Sequence, residues 1–132
     1  MKARWLGRHI SAPGPFLCLC LSEAEYKTAF KHLRVVPTLD WIKTPHSNAT
    51  SHLIQSPKGL AVVVCLAKHE KRNAVEVAGI LVHEAVHAWQ EWCDYYGETH
   101  PASEQEAYAI QALSQYLMFE FTRRMKSKRR IR

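Results

Sequence analysis

No stretch of the chain approaches the roughly 20 consecutive apolar residues that a membrane-spanning helix needs, so no spanning segment is expected. The apolar run nearest the N-terminus, Phe16 to Leu21, is short and sits behind Pro13 and Pro15. A secretory leader is not expected from it either, which makes the cytoplasm the expected location. Cysteine is scarce: Cys18, Cys20, Cys65 and Cys93 are the only four. Without a secretion signal they are not expected to build a disulfide framework. The Cys-x-x-Cys spacing of zinc modules is missing too, which argues against a second metal site. Cys18 and Cys20, two apart in an apolar run, are expected on one face of a strand as buried thiols that act like small hydrophobes. There is no internal repeat, and no low-complexity segment outside the C-terminal end.

What is present is enough for one core. The chain has 132 residues, 47% of them hydrophobic, which suits a single domain and is too little for two. The net charge of +6 is unevenly spread. Residues 123–132 hold seven of the 18 basic residues and no acid, so residues 1–121, with the other 11 basic and all 12 acidic groups, are close to neutral. The expected division is therefore a domain over 1–122 and a basic tail over 123–132. Such a tail reads first as a frayed, solvated end, and second as a weak, nonspecific contact for nucleic acid.

Residues 1–15 read as irregular, and Phe16 to Leu21 as a buried strand. Ser22 with Glu25 has capping-box spacing and opens a helix over about 23–34, with Tyr26, Phe30 and Leu33 on one face. Pro37 marks its end, and 37–50 reads as loop. Two apolar segments, His52–Gln55 and Leu60–Leu66, flank the turn residues 56–59 and predict a hairpin. Asn73 with Glu76 repeats the capping pattern and opens a long helix carrying Val77, Ile80, Leu81, Ala85 and Ala88. A last helix is expected over about 102–125, with Ala107, Ile110, Ser114, Leu117 and Phe121 facing inward. The fold class expected is α+β: about three helices and a short, mostly antiparallel sheet of about three strands.

The chemistry lies in His83-Glu84-Ala85-Val86-His87, an H-E-x-x-H match inside the second helix. Histidines four apart share a helix face, so both imidazoles can meet one ion. Glu84 lies roughly 100° around from His83. It can reach a water on that ion without readily competing as a ligand. A zinc-bound water becomes a nucleophile near neutral pH, and a carboxylate beside it can take its proton. Zinc (Zn2+) is the expected cofactor, and Glu84 the expected general base.

A third protein ligand is normally needed, and the downstream candidates are His100, Glu104 and Glu106. Ser103 with Glu106 fits a capping box, which occupies Glu106 and leaves Glu104 free beside the inner face. If the motif helix ran on to Tyr96, its end would lie about 13 Å past His87 and Glu104 would be out of reach. The helix is therefore expected to stop near Cys93, with 94–102 folding back as a loop.

His83-Glu84-x-x-His87 followed by Glu104-x-x-Ala107-Tyr108 resembles the gluzincin type of zinc metallopeptidase. It looks most like the small single-domain H-E-x-x-H proteins of bacteriophages and prophages. The resemblance is confined mainly to residues 76–121. It implies His83, His87 and Glu104 as zinc ligands, Glu84 as base, and a zincin-like hydrolase cleaving peptide bonds of a peptide or protein substrate. Gluzincins often carry Asp or Asn near the position of Tyr108, so the residue supporting a ligand histidine has no assignment from the family. A SprT-like DNA-associated protease, with His100 as third ligand after Gly97, is the alternative within the metal class. A non-catalytic, zinc-stabilised module binding nucleic acid or a partner protein is the alternative outside it.

The remaining candidates carry less. Trp89, Trp92, Tyr95 and Tyr96 read as packing before they read as a substrate cleft. Tyr95, Tyr108 and Tyr116 could each donate to an oxyanion, and nothing selects one. His9, His32, His46, His52 and His69 read as scattered. An extended peptide substrate could add to a sheet edge beside the metal. The strand Leu60–Leu66, joined to the motif helix by a short linker, is the expected edge, although its three valines fit a central strand equally well.

Overall fold

In the computed structural model, residues 2–6, 15–57 and 59–131 are described, with side chains described as far as Arg129. Most of the N-terminal stretch read as irregular, including His9, and Lys58 of the expected hairpin turn lie outside the described residues. The chain runs β1 (Phe16–Cys20), α1 (Glu23–Leu33), β2 (Ala49–Ser56), β3 (Gly59–Leu66), a 3-10 turn (His69–Lys71), α2 (Ala74–Tyr96) and α3 (Ser103–Ile131). This is the expected α+β class, with three α-helices and three strands.

The sheet order is β1-β3-β2. β3 pairs parallel with β1, Phe16 opposite Ala61, and antiparallel with β2, Leu53 opposite Val62. The sheet is thus mixed rather than mostly antiparallel. β3 is also its central strand. The expectation that Leu60–Leu66 offers a free edge for a peptide is overturned, because both of its edges are occupied by β1 and β2. Leu60 through Leu66 are all buried, as a continuous apolar run requires when both faces are covered.

Each face of the sheet has its own core. Leu17, Leu19, Val62, Val64 and Leu66 point to α2 and α3, where Val77, Leu81, Ala85, Ala88, Trp89, Leu113 and Leu117 meet them. Cys18, Cys20, Ala61, Val63 and Cys65 point the other way, onto Tyr26, Ala29, Phe30 and Leu33 of α1. The result is three layers, one helix below the sheet and two above. All four cysteines are free and buried, as expected. Hydrogen bonding to Cys20, with burial, pushes the Cys18 thiol far up. For Cys20, Cys18 pulls the other way but Cys65 and burial outweigh it. These thiols are packing groups, not nucleophiles.

Both capping patterns hold. Ser22 Oγ accepts from Glu25 N at 3.3 Å, and Asn73 Oδ1 accepts from Glu76 N at 2.8 Å. α1 stops at Leu33 because Arg34 turns left-handed, φ 59°, ahead of Pro37. α2 does not stop near Cys93. It continues to Tyr96, and Gly97 closes it at φ 71° with its N–H on the carbonyls of Asp94 and Cys93. That is the left-handed cap glycine adopts at low cost. α3 runs through Ile131, so the segment read as a frayed tail is helical up to there. Its buried residues include Leu113, Ser114, Leu117 and Glu120, whereas Ala107, expected inside, is exposed. Two ion pairs fasten this helix, Glu25 with Arg124 and Glu120 with Arg4, while Arg123 pairs with Glu120 within it. Burial alone would raise the Glu25 carboxyl, but Arg124 and the Leu21 N–H outweigh it and hold it below the usual range.

Candidate metal centre

α2 carries the motif at mid-length, where a helix is least free to fray. Its apolar face, Val77, Leu81, Ala85, Ala88 and Trp89, is buried against the sheet and α3. His83 and His87 are therefore left on the exposed side. Their Nε2 atoms converge to 3.2 Å, with ring centroids 4.8 Å apart and planes crossing at 74°. Two nitrogens bound tetrahedrally to one zinc at 2.0–2.1 Å would lie about 3.3 Å apart. The pair thus already has the separation that a shared ion imposes. His87 Nδ1 faces Gln90 Oε1 at 3.3 Å, so Gln90 supplies the kind of support that ligand histidines use to fix ring orientation. The sequence reading left that role without a residue.

Glu84 differs from its neighbours in being buried, with only 5% of its surface exposed. It points to the β2 side of α2, where Ser51 Oγ donates a hydrogen bond to its Oε2. Ser51 belongs to the edge strand, and its role could not be read before β2 was placed beside α2. A cleft of about 580 Å³ opens beside the motif, between His46, Ser47, Asn48 and Ala49 on one wall and Val75, Glu76, Gly79, Ile80, His83 and Glu84 on the other. His46, taken as scattered in the sequence, faces the motif across this cleft.

The downstream candidates lie elsewhere. Glu106 is on the inner face of α3 and accepts from Trp89 Nε1 at 2.9 Å. Trp89 and His87, two residues apart on α2, point roughly 160° from one another. The first turns of α3 therefore dock on the side of α2 turned away from the histidines. Glu104 and Glu106, also two apart, diverge in the same way, and Glu104 is exposed. This reverses the expected phase, which had Glu104 inside and Glu106 engaged by Ser103. His100 is exposed and follows Gly97, beyond the far end of α2. Among the described residues, no group of three or more His, Cys, Asp or Glu gathers as a metal-holding set. The structure brings His83 and His87 together, places Glu84 against Ser51 on the adjoining face, and does not bring Glu104 to them.

Of the aromatic candidates, Trp89 is buried and Trp92 lies against Tyr96 at 4.3 Å between centroids, while Tyr95, Tyr96 and Tyr108 are exposed. No helix among the described residues is long and apolar enough to cross a membrane.

Removing the Ser51 hydroxyl leaves the buried Glu84 carboxylate short of its partner. Ser51→Ala is expected to lower the stability of the metal-free protein by about 1–3 kcal/mol. Ser51→Thr, which keeps the hydroxyl in a residue suited to strands, should restore most of it. Chemical denaturation of the three proteins measures this; an alanine variant as stable as the parent would mean the contact holds nothing.

Compared with known proteins, the chain matches no family model, no curated protein and no solved structure.

Proposed function

We propose that the protein is a zinc-dependent hydrolase of the metallopeptidase type, with His83 and His87 holding the ion and Glu84 serving as general base. The observation that carries this reading is the convergence of the two Nε2 atoms at 3.2 Å with a buried carboxylate on the adjoining face of the same helix. The 3.2 Å contact also suits a hydrogen bond between the two rings; what supports the metal reading is that this separation matches two nitrogens on one zinc, next to a carboxylate that Ser51 holds.

Zinc bound there would supply a Lewis acid for a substrate carbonyl and would acidify its water. The chain's own part is to position and to move a proton. Ser51 fixes one Glu84 oxygen, which leaves the other to take the proton from the attacking water and hand it to the leaving amine. Gln90 steadies His87. Glu104, the third ligand the resemblance implies, faces outward, so the reading rests on the histidine pair and Glu84. A peptide would meet the site along β2, the edge strand whose Ser51 touches Glu84; β3 is enclosed and has no edge to give. Main-chain pairing with such an edge is a common way to hold an extended chain.

The test is metal content and coordination. Purified protein dialysed free of loose metal is expected to retain close to one zinc per chain. The cobalt-substituted form should show ligand-field bands without a thiolate charge-transfer band, because the ligands are imidazoles and the cysteines are buried in the core. Protein that keeps no zinc, or whose cobalt spectrum reports sulfur ligands, contradicts the assignment.

A further inference from the structure

Phe119 is 71% exposed and Tyr108 66% exposed, both on α3. Neither contributes to the core or to the metal centre. Eleven residues are three helical turns to within about 20°, so the two rings project from one face. Gln115, Thr122, Lys126 and Arg129 continue that face, all exposed. The opposite face, Leu113, Leu117 and Glu120, is buried. One outward stripe of α3 thus presents two aromatic rings followed by cations.

The cations are held in place. Arg124 is paired with Glu25 of α1, and Glu120 with Arg4, so α3 is tied to the domain at two points just before these cations. Beyond Glu120 the chain has no acidic residue. None of the ion pairs among the described residues includes Lys126 or Arg129; Lys128 turns to the other side of the helix, where its Nζ lies 3.4 Å from His69 Nε2. Positive charge collects at a helix C-terminus, where the dipole stabilises it.

We infer that this stripe binds single-stranded nucleic acid. Bases stack on Phe119 and Tyr108, and the phosphate backbone follows Lys126 and Arg129. Exposed rings that run into a group of cations suit a single strand, whose bases have faces to stack and whose linkages carry charge. A duplex hides its base faces and would use the cations alone. A membrane surface fits less well. An interfacial helix needs a broad apolar face, whereas Gln111 and Gln115 separate the rings, Thr122 follows them, and Met125 packs against the core. The inference does not depend on the metal.

The experiment uses the full chain and a fluorescein-labelled single-stranded oligonucleotide, read by anisotropy across a salt series. The unmodified protein is expected to bind the strand more tightly than the duplex of the same sequence. Phe119→Ala should weaken single-strand binding roughly tenfold and leave the salt slope unchanged. Lys126→Gln with Arg129→Gln should lower that slope by about 1.4. All three positions are exposed, so unchanged thermal melts are expected and serve as the folding control. No binding at about 50 mM salt, equal affinity for strand and duplex with Phe119→Ala neutral, or preferential binding to anionic lipid vesicles would each overturn the proposal.

Discussion

Zinc affinity is expected to fall by more than roughly 100-fold when His83 is replaced with alanine. Loss of a residue that merely supports a ligand costs about 10–100-fold, and His83 supplies one of only two nitrogens seen to converge on the site. The effect should be equal for His87→Ala, because neither ring has a buried setting that would favour it over the other. Gln90→Ala, which removes the acceptor from His87 Nδ1, should fall within the smaller range. Neither histidine packs in the core, so the folded state should survive each change, and competition with a zinc chelator followed by calorimetry can read the affinities directly. Measured beside them, Glu104→Ala, Glu106→Ala and His100→Ala rank the third position. Glu106→Ala should also disturb Trp89 fluorescence through the lost indole hydrogen bond, which separates its packing role from any role at the metal. If His83→Ala bound zinc as tightly as the parent, the site would have to be elsewhere.

The parts of this arrangement carried by local sequence were legible. Two capping patterns opened α1 and α2 where the chain opens them, because a cap is a contact between residues three apart. The H-E-x-x-H spacing placed both histidines on one face for the same reason. Gly97 was a legible stop signal as well. It was set aside because Glu104 had to be brought within reach of the ion, and the helix follows its cap rather than that requirement. Long-range relations were less accessible. Three consecutive valines could mean a central strand or a strand with one covered edge, and only the crossover that returns β3 beside β1 decides between them. Of the inward face expected on α3, Ser114 and Leu117 are buried and Ile110 and Phe121 pack against the core; only Ala107 stands exposed, in the first turns, where Glu106 rather than Glu104 turns inward to Trp89. Ser51 carried no signal at all, since its value comes from the pairing of β2 with β3, which carries it to the side of α2.

Glu84→Gln tests the chemistry apart from the metal. The amide keeps the shape of the carboxylate and can still meet the Ser51 hydroxyl, so zinc content should stay close to one per chain and stability should change little. What is lost is a base. Proton transfer by a positioned side chain contributes about 10²–10⁴-fold to rate, and hydrolysis by the zinc-loaded protein should drop by that factor. The comparison needs a substrate pool rather than a known substrate: zinc-loaded parent and variant are incubated with the same peptide mixture, and new termini are counted by mass spectrometry. Fragments that depend on both zinc and Glu84 support the hydrolase reading. Their sequences would also show which side chains the β2 edge and the His46 wall of the cleft prefer. Equal cleavage by parent and Glu84→Gln removes Glu84 from the mechanism. Zinc held by both proteins with cleavage by neither would leave a metal-stabilised domain, and the burial of Glu84 against Ser51 would then be a structural contact between α2 and the sheet edge.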